Sequence, residues 1–217
     1  MHLGVDRWLV SGGSWGSTLA LAYAQRYPSR ASEIVLNSVT TSRRAEAKWL
    51  YNDLAHLFPD AWEQFRGHVP EANGDGVIAA YADRMEDPDP TVRLETARAW
   101  CAWEDAVLSL EPQTEVSPLS SMPIRDMLAF VRICTHYLRH GAWLEEGAVI
   151  RDAPRLGGIP GVLIHGRRDI TCPVETAWTL ARAWPGAELV VVEDAGHLRS
   201  DSKRAALLRA LDEFAHR

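Results

Sequence analysis

The sequence predicts an α/β fold, in which a parallel sheet is connected by helices and interrupted by a long helical insertion. Three observations carry this prediction. The chain opens strand–helix–strand within its first 40 residues, and from about 41 to 150 the pattern is helical with no convincing strand. Strand character then returns at "GVLIHG" (161–166). Strands alternating with helical segments are the signature of parallel pairing through crossover helices.

The elements follow in order. "RWLVS" (7–11) is a short apolar run ending in glycines, which suits a buried strand. In "SWGSTLALAYAQRYP", Leu19, Ala20, Tyr23 and Tyr27 fall at helical spacing and Pro28 closes the helix. "EIVLNS" (33–38) is again a buried strand. "RRAEAKWLYNDLAHLF" is amphipathic, Asp89 is placed to cap a helix with Pro90 at its first position, and "PIRDMLAFVRICTHYLRHG" stops at Gly141. After 161–166 come a helix in "PVETAWTLARAWP", a strand in "ELVVVED" (188–194) and a last amphipathic helix over 201–216. The expected organisation is a first part of the core at 1–40, a helical cap at 41–150 and a second part of the core at 151–217, with four strands in all.

Composition narrows the function classes. Over 217 residues, 47% are hydrophobic and 24% charged, which is ordinary for a globular chain and argues against disorder. The formal charge of −6, with no basic cluster, argues against nucleic acid as a partner. The longest apolar runs are only a few residues, so no membrane association is expected. The opening "MHLGVDRWLV" has no export-signal pattern. Three widely spaced cysteines, Cys101, Cys134 and Cys172, lack zinc-site spacing and fit a reduced compartment, so a cytoplasmic location is expected, with neither metal nor organic cofactor. Five of the nine tryptophans (Trp49, Trp62, Trp100, Trp103 and Trp143) fall between 41 and 150. Helix packing and an aromatic-lined pocket both account for them.

The chemistry begins at Gly12-x-Ser14-x-Gly16, between a strand and a helix. In that context the pattern is a nucleophile elbow: a tight turn flanked by glycines lifts the serine Oγ above the sheet, at a helix N-terminus. There the helix dipole and the Trp15 N–H face a developing oxyanion. A serine nucleophile needs a base, and the base needs an orienting carboxylate. Asp169 follows strand 161–166 and His197 follows strand 188–194, giving the order Ser…Asp…His used by α/β-hydrolases. Glu175 and Asp194 compete for the acid role; Asp194 shares the strand end that presents His197 and ranks below Asp169. His165, inside a buried strand, reads as a satisfied core residue, and His56, His68, His136 and His140 lie in the cap.

These stretches resemble a family. "LGVDRWLVSGGSWGSTLALAYAQRYP", "HGRRDITCP" and "DAGHL" are similar to the nucleophile, acid and histidine segments of the prolyl aminopeptidases (proline iminopeptidases). These α/β-hydrolases remove N-terminal proline from small peptides. "ARAWCAWEDAVLSL" resembles a cap segment of that family whose glutamate receives the substrate's α-ammonium, which by position is Glu104. The resemblance covers essentially the whole chain and implies an α/β-hydrolase fold with Ser14 as nucleophile, His197 as base and Asp169 as orienting acid.

Two departures stand out. Cys134, in "RICTHYL", stands where the family usually carries a second amine-binding glutamate, and "LRSDSKR" after His197 differs from the family's small and acidic run. The family's His-Gly-Gly-Pro-Gly oxyanion loop and the strands before the elbow strand have no counterpart, so the fold is expected to hold the C-terminal half of the sheet. Loss of one oxyanion donor costs on the order of 100–1000-fold in rate, and low activity of residues 1–217 alone is expected. Two other readings stay open: an esterase or amidase of the same fold acting on a small substrate, favoured by Cys134, and a non-catalytic remnant, favoured by the missing half-sheet. The sequence leaves the oligomeric state undetermined.

Overall fold

In a computed structural model the structure describes residues 4–72, 76–110 and 117–216. Two compact units emerge: one takes the described residues up to Arg43 and from Glu146 onward, the other those between Arg44 and Glu145.

The first unit is built on four parallel strands, β1 (Trp8–Ser14), β2 (Ala31–Val39), β3 (Gly161–Gly166) and β4 (Ala187–Val192), in the spatial order β1-β2-β3-β4. Its helices are α1 (Trp15–Arg26), the single turn α7 (Ala148–Arg151), α8 (Val174–Ala183) and α9 (Asp201–Ala215). One face of the sheet (Val35, Val162, Ile164 and Val192) packs on Ala206, Ala210 and Phe214 of α9. Alternation along the strands turns Ile34, Leu36 and Leu163, all fully buried, the other way. Every residue of β3 is buried, as its unbroken apolar run requires in a parallel sheet. Close approach is built in at Gly161, where an added Cβ would stand 2.4 Å from the Trp184 ring.

The second unit is helical: α2 (Arg44–Tyr51), α3 (Pro59–Gly67), α4 (Val77–Met85), α5 (Pro90–Leu108) and α6 (Ile124–Arg139). The Asp89 carboxylate accepts from Thr91 N at 2.8 Å and caps α5, with Pro90 next in line. Phe65 stacks on Tyr81 at 4.5 Å between ring centroids and on Trp103 at 5.4 Å, and Trp100 lies 4.5 Å from Tyr51. Trp100 and Trp103 are thus core residues of this unit, while Trp143 is exposed and stacks on His140. Among the described residues, no helix is long and apolar enough to cross a membrane.

Candidate active site

β1 runs directly into α1, and Ser14 is the hinge. Its backbone adopts φ 51°, ψ −126°, a left-handed φ that costs a non-glycine residue on the order of 1–3 kcal/mol. The elbow closes so tightly that a Cβ on Gly12 would lie 2.2 Å from the Gly16 carbonyl oxygen. Of the two glycines that flank Ser14 in the motif, only Gly12 is sterically required, because a Cβ on Gly16 would meet nothing within 4 Å. The close approach is made by the Gly16 main chain and absorbed at Gly12.

The first turn of α1 is tied to the end of β2. Ser17 Oγ lies 2.6 Å from the Ser14 carbonyl and accepts from Thr40 N at 3.0 Å, and Thr18 Oγ1 donates to Thr40 O at 2.9 Å. These bonds hold the strained serine from beneath. Trp15 is the first residue of α1, so its N–H lies at the positive end of the helix dipole.

Three side chains expected from the sequence come together here. His197 Nε2 is 3.0 Å from Ser14 Oγ, and His197 Nδ1 is 2.9 Å from Asp169 Oδ2. Asp169 is 3% exposed. Its other oxygen, Oδ1, accepts from Thr171 Oγ1 and Cys172 N, both at 2.8 Å. Burial alone would raise the Asp169 pKa, but the charge and hydrogen bond of His197, with the Cys172 N–H, hold it below the usual carboxylate range. Burial pulls the His197 pKa down, yet its neighbours Cys172 and Asp169 overcome it and the pKa stands well above the ordinary value. Because burial also raises the Cys172 thiol, Asp169 is the anion that carries the effect near neutral pH.

His165 stands behind the triad acid, with its Nε2 3.6 Å from Asp169 Oδ2 and both side chains buried. Its Nδ1 accepts from Val39 N at 3.1 Å, so the ring proton sits on Nε2 and donates to Cys172 O at 2.6 Å. Burial lowers its pKa, so the ring is neutral. Asp169, Cys172 and His197 offer metal-ligand atoms within 4.8 Å of one another. Each oxygen of Asp169 already accepts a hydrogen bond, and one faces the ring nitrogen of His197, a donor set arranged around a shared proton.

Glu104 belongs to the helical unit, on α5. Its Oε1 accepts from Tyr51 Oη at 2.7 Å and from Trp100 Nε1 at 2.9 Å, one turn back on the same helix. The Cys134 thiol is pushed up by burial first, then by the charge of Glu104, so it is neutral. Residue types and spacing pointed to Ser14, Asp169 and His197. His165 is the satisfied core residue the sequence suggests, buried with both ring nitrogens bonded, whereas nothing in the quoted stretches marks Ser17, Thr18 and Thr171 as supporting groups.

A family model described as alpha/beta hydrolase fold matches residues 1–203. Proline iminopeptidases from Xylella fastidiosa (strain 9a5c) and Xanthomonas citri are each 42% identical to the chain; the alignments cover 98% and 99% of it, and 68% and 69% of those proteins. A proline iminopeptidase from Arabidopsis thaliana is 37% identical, with 56% of its length covered. Among solved structures, an alpha/beta hydrolase enzyme from a Medee basin deep-sea metagenome library superposes with TM-score 0.54 at 19% identity, covering 99% of this chain and 67% of that one. The chain thus spans about two thirds of the length of the two bacterial relatives.

Proposed function

The chain belongs to the alpha/beta hydrolase fold family and, within it, to the proline iminopeptidases, and from that premise we propose that it is a serine peptidase releasing N-terminal proline from small peptides. The observation that carries the reading is the unbroken run of hydrogen bonds from Ser14 Oγ through His197 to Asp169, at 3.0 and 2.9 Å. In the proposed reaction Ser14 Oγ attacks the carbonyl carbon of the N-terminal residue while His197 Nε2 takes its proton. Asp169 keeps the Nδ1–H tautomer and stabilises the imidazolium. The oxyanion that forms faces the Trp15 N–H at the start of α1. His197 then gives its proton to the leaving amine, and water, activated the same way, releases proline from Ser14.

Glu104 is proposed to receive the substrate's α-ammonium, its carboxylate oriented by Tyr51 and Trp100. No metal or organic cofactor enters this scheme. The three thiol cysteines support a reducing, cytoplasmic setting. A second reading, an esterase or amidase with no need of an amine, is favoured by Cys134: its neutral thiol adds no second carboxylate beside Glu104.

Matched prolyl anilides with free and acetylated amines separate the two. The peptidase reading expects turnover of the free amine and at least a tenfold loss on acetylation, the scale of a single charged contact. Equal turnover would favour the second reading.

A further inference from the structure

Lys203 sits in the first turn of α9 and is 6% exposed, which is unusual for lysine. A cation in the first turn of a helix also opposes the helix dipole. A residue carrying both penalties is held there by what it binds. Its Nζ donates to Ser38 Oγ at 2.9 Å, to Gly196 O at 2.8 Å and to His197 O. Three acceptors stand within reach of the three ammonium protons.

The acceptors are what give this arrangement meaning. Two are consecutive main-chain carbonyls of the turn that presents His197. The third, Ser38 Oγ, itself donates to His197 O at 3.0 Å, so that carbonyl accepts twice. Ser38 adopts φ 45°, a left-handed backbone at the end of β2. The other side of the turn rests on the end of β3, where Arg168 N donates to Ala195 O at 2.9 Å and a Cβ on Gly166 would come within 2.4 Å of Ala195 O and Gly196 O. The turn is therefore gripped from two sides, and Lys203 supplies most of the second grip.

We propose that Lys203, seconded by Ser38, is the positioning residue for His197, locking its main chain so that one imidazole reaches Ser14 and Asp169 together. The proposal rests on the triad reading above and goes beyond it. Lys203 acts on His197 through the turn: its bonds go to Ser38 and to main-chain carbonyls, not to the imidazole. The demand is strict, because a shift of about 1 Å in a reacting group costs on the order of 100-fold.

The test compares wild type with Lys203→Met, which keeps the stem and removes the donors, Lys203→Arg, which keeps a charged donor, and Ser38→Ala. Three quantities are read: the rate of Ser14 labelling by a fluorophosphonate, the downfield proton NMR signal of His197 Nδ1–H, and folding by near-UV circular dichroism and thermal melt. Folded Lys203→Met is expected to label roughly 10–100-fold more slowly and to lose or shift the signal, with Lys203→Arg restoring part of both. A folded Lys203→Met that labels at the wild-type rate with the signal unmoved overturns the proposal. If Lys203→Met does not fold, Ser38→Ala decides: slower labelling with a moved signal supports the lock, and an unchanged pair overturns it. A wild type that labels at Ser14 yet leaves prolyl anilides uncut would sink the peptidase reading alone, since labelling and the signal do not depend on the substrate.

Discussion

Gly12 faces the carbonyl of Gly16 so closely that a methyl group on Gly12 would overlap its oxygen, at 2.2 Å. Gly12→Ala therefore forces the elbow apart and is expected to unfold the chain or abolish Ser14 labelling. Gly16→Ala meets open space in the first turn of α1 and should melt at or above the wild-type temperature, since Gly-to-Ala in a helix is worth up to about 1 kcal/mol. Thermal melts of the two variants check this; equal destabilisation would contradict it.

Asp169→Asn tests the orienting role. The asparagine oxygen can still accept from Thr171 and Cys172, so the turn keeps its bonds and the fold should hold. The amide nitrogen then faces His197 and favours the wrong tautomer. A fall in kcat of about 10⁴-fold is expected, against an unchanged melt.

The raised pKa of His197 fixes the direction of the pH response. The base works only when deprotonated, so activity is lost as pH falls through a pKa that stands above 6.5. The acid limb of kcat/KM against pH is expected to lie above pH 6.5 and to move down when Asp169 loses its charge. A limb at or below 6.5 in the wild type would contradict the electrostatics described.

All three thiols are held protonated. Burial, with the charges of Glu104 and Asp105, pushes Cys101 up to about 12; burial first raises Cys134 and Cys172 as well. Thiolates, not thiols, react with iodoacetamide. The native chain at neutral pH should alkylate far more slowly than the denatured chain, read by intact mass; a rapid native reaction at any one cysteine would count against it.

How much of this was legible in the sequence differs from element to element. Gly161–Gly166 reads as a buried strand with the bounds the structure gives it, because an unbroken apolar run at that length has few other uses. The apolar run ends at residue 11, yet β1 continues to Ser14: Gly12 and Gly13 pair with Leu36 and Asn37, and ladder partners do not show in glycine's weak strand preference. The amphipathic stretch 43–58 breaks after Tyr51 into a 3₁₀ turn at Asp53–His56, a change periodicity alone does not register. Ser14, Asp169 and His197 were legible because each follows a strand end in a known order. Lys203 was not, since a lysine on an amphipathic helix reads as solvent-facing, and its partner Ser38 lies 165 positions away.

Every step of the proposed reaction depends on Ser14 being a nucleophile activated by His197. Incubation with a fluorophosphonate, followed by intact mass and peptide mapping, tests it most directly. One adduct is expected, on Ser14, absent in Ser14→Ala and formed far more slowly in His197→Ala. An adduct on another serine, or labelling that persists in Ser14→Ala, would contradict it.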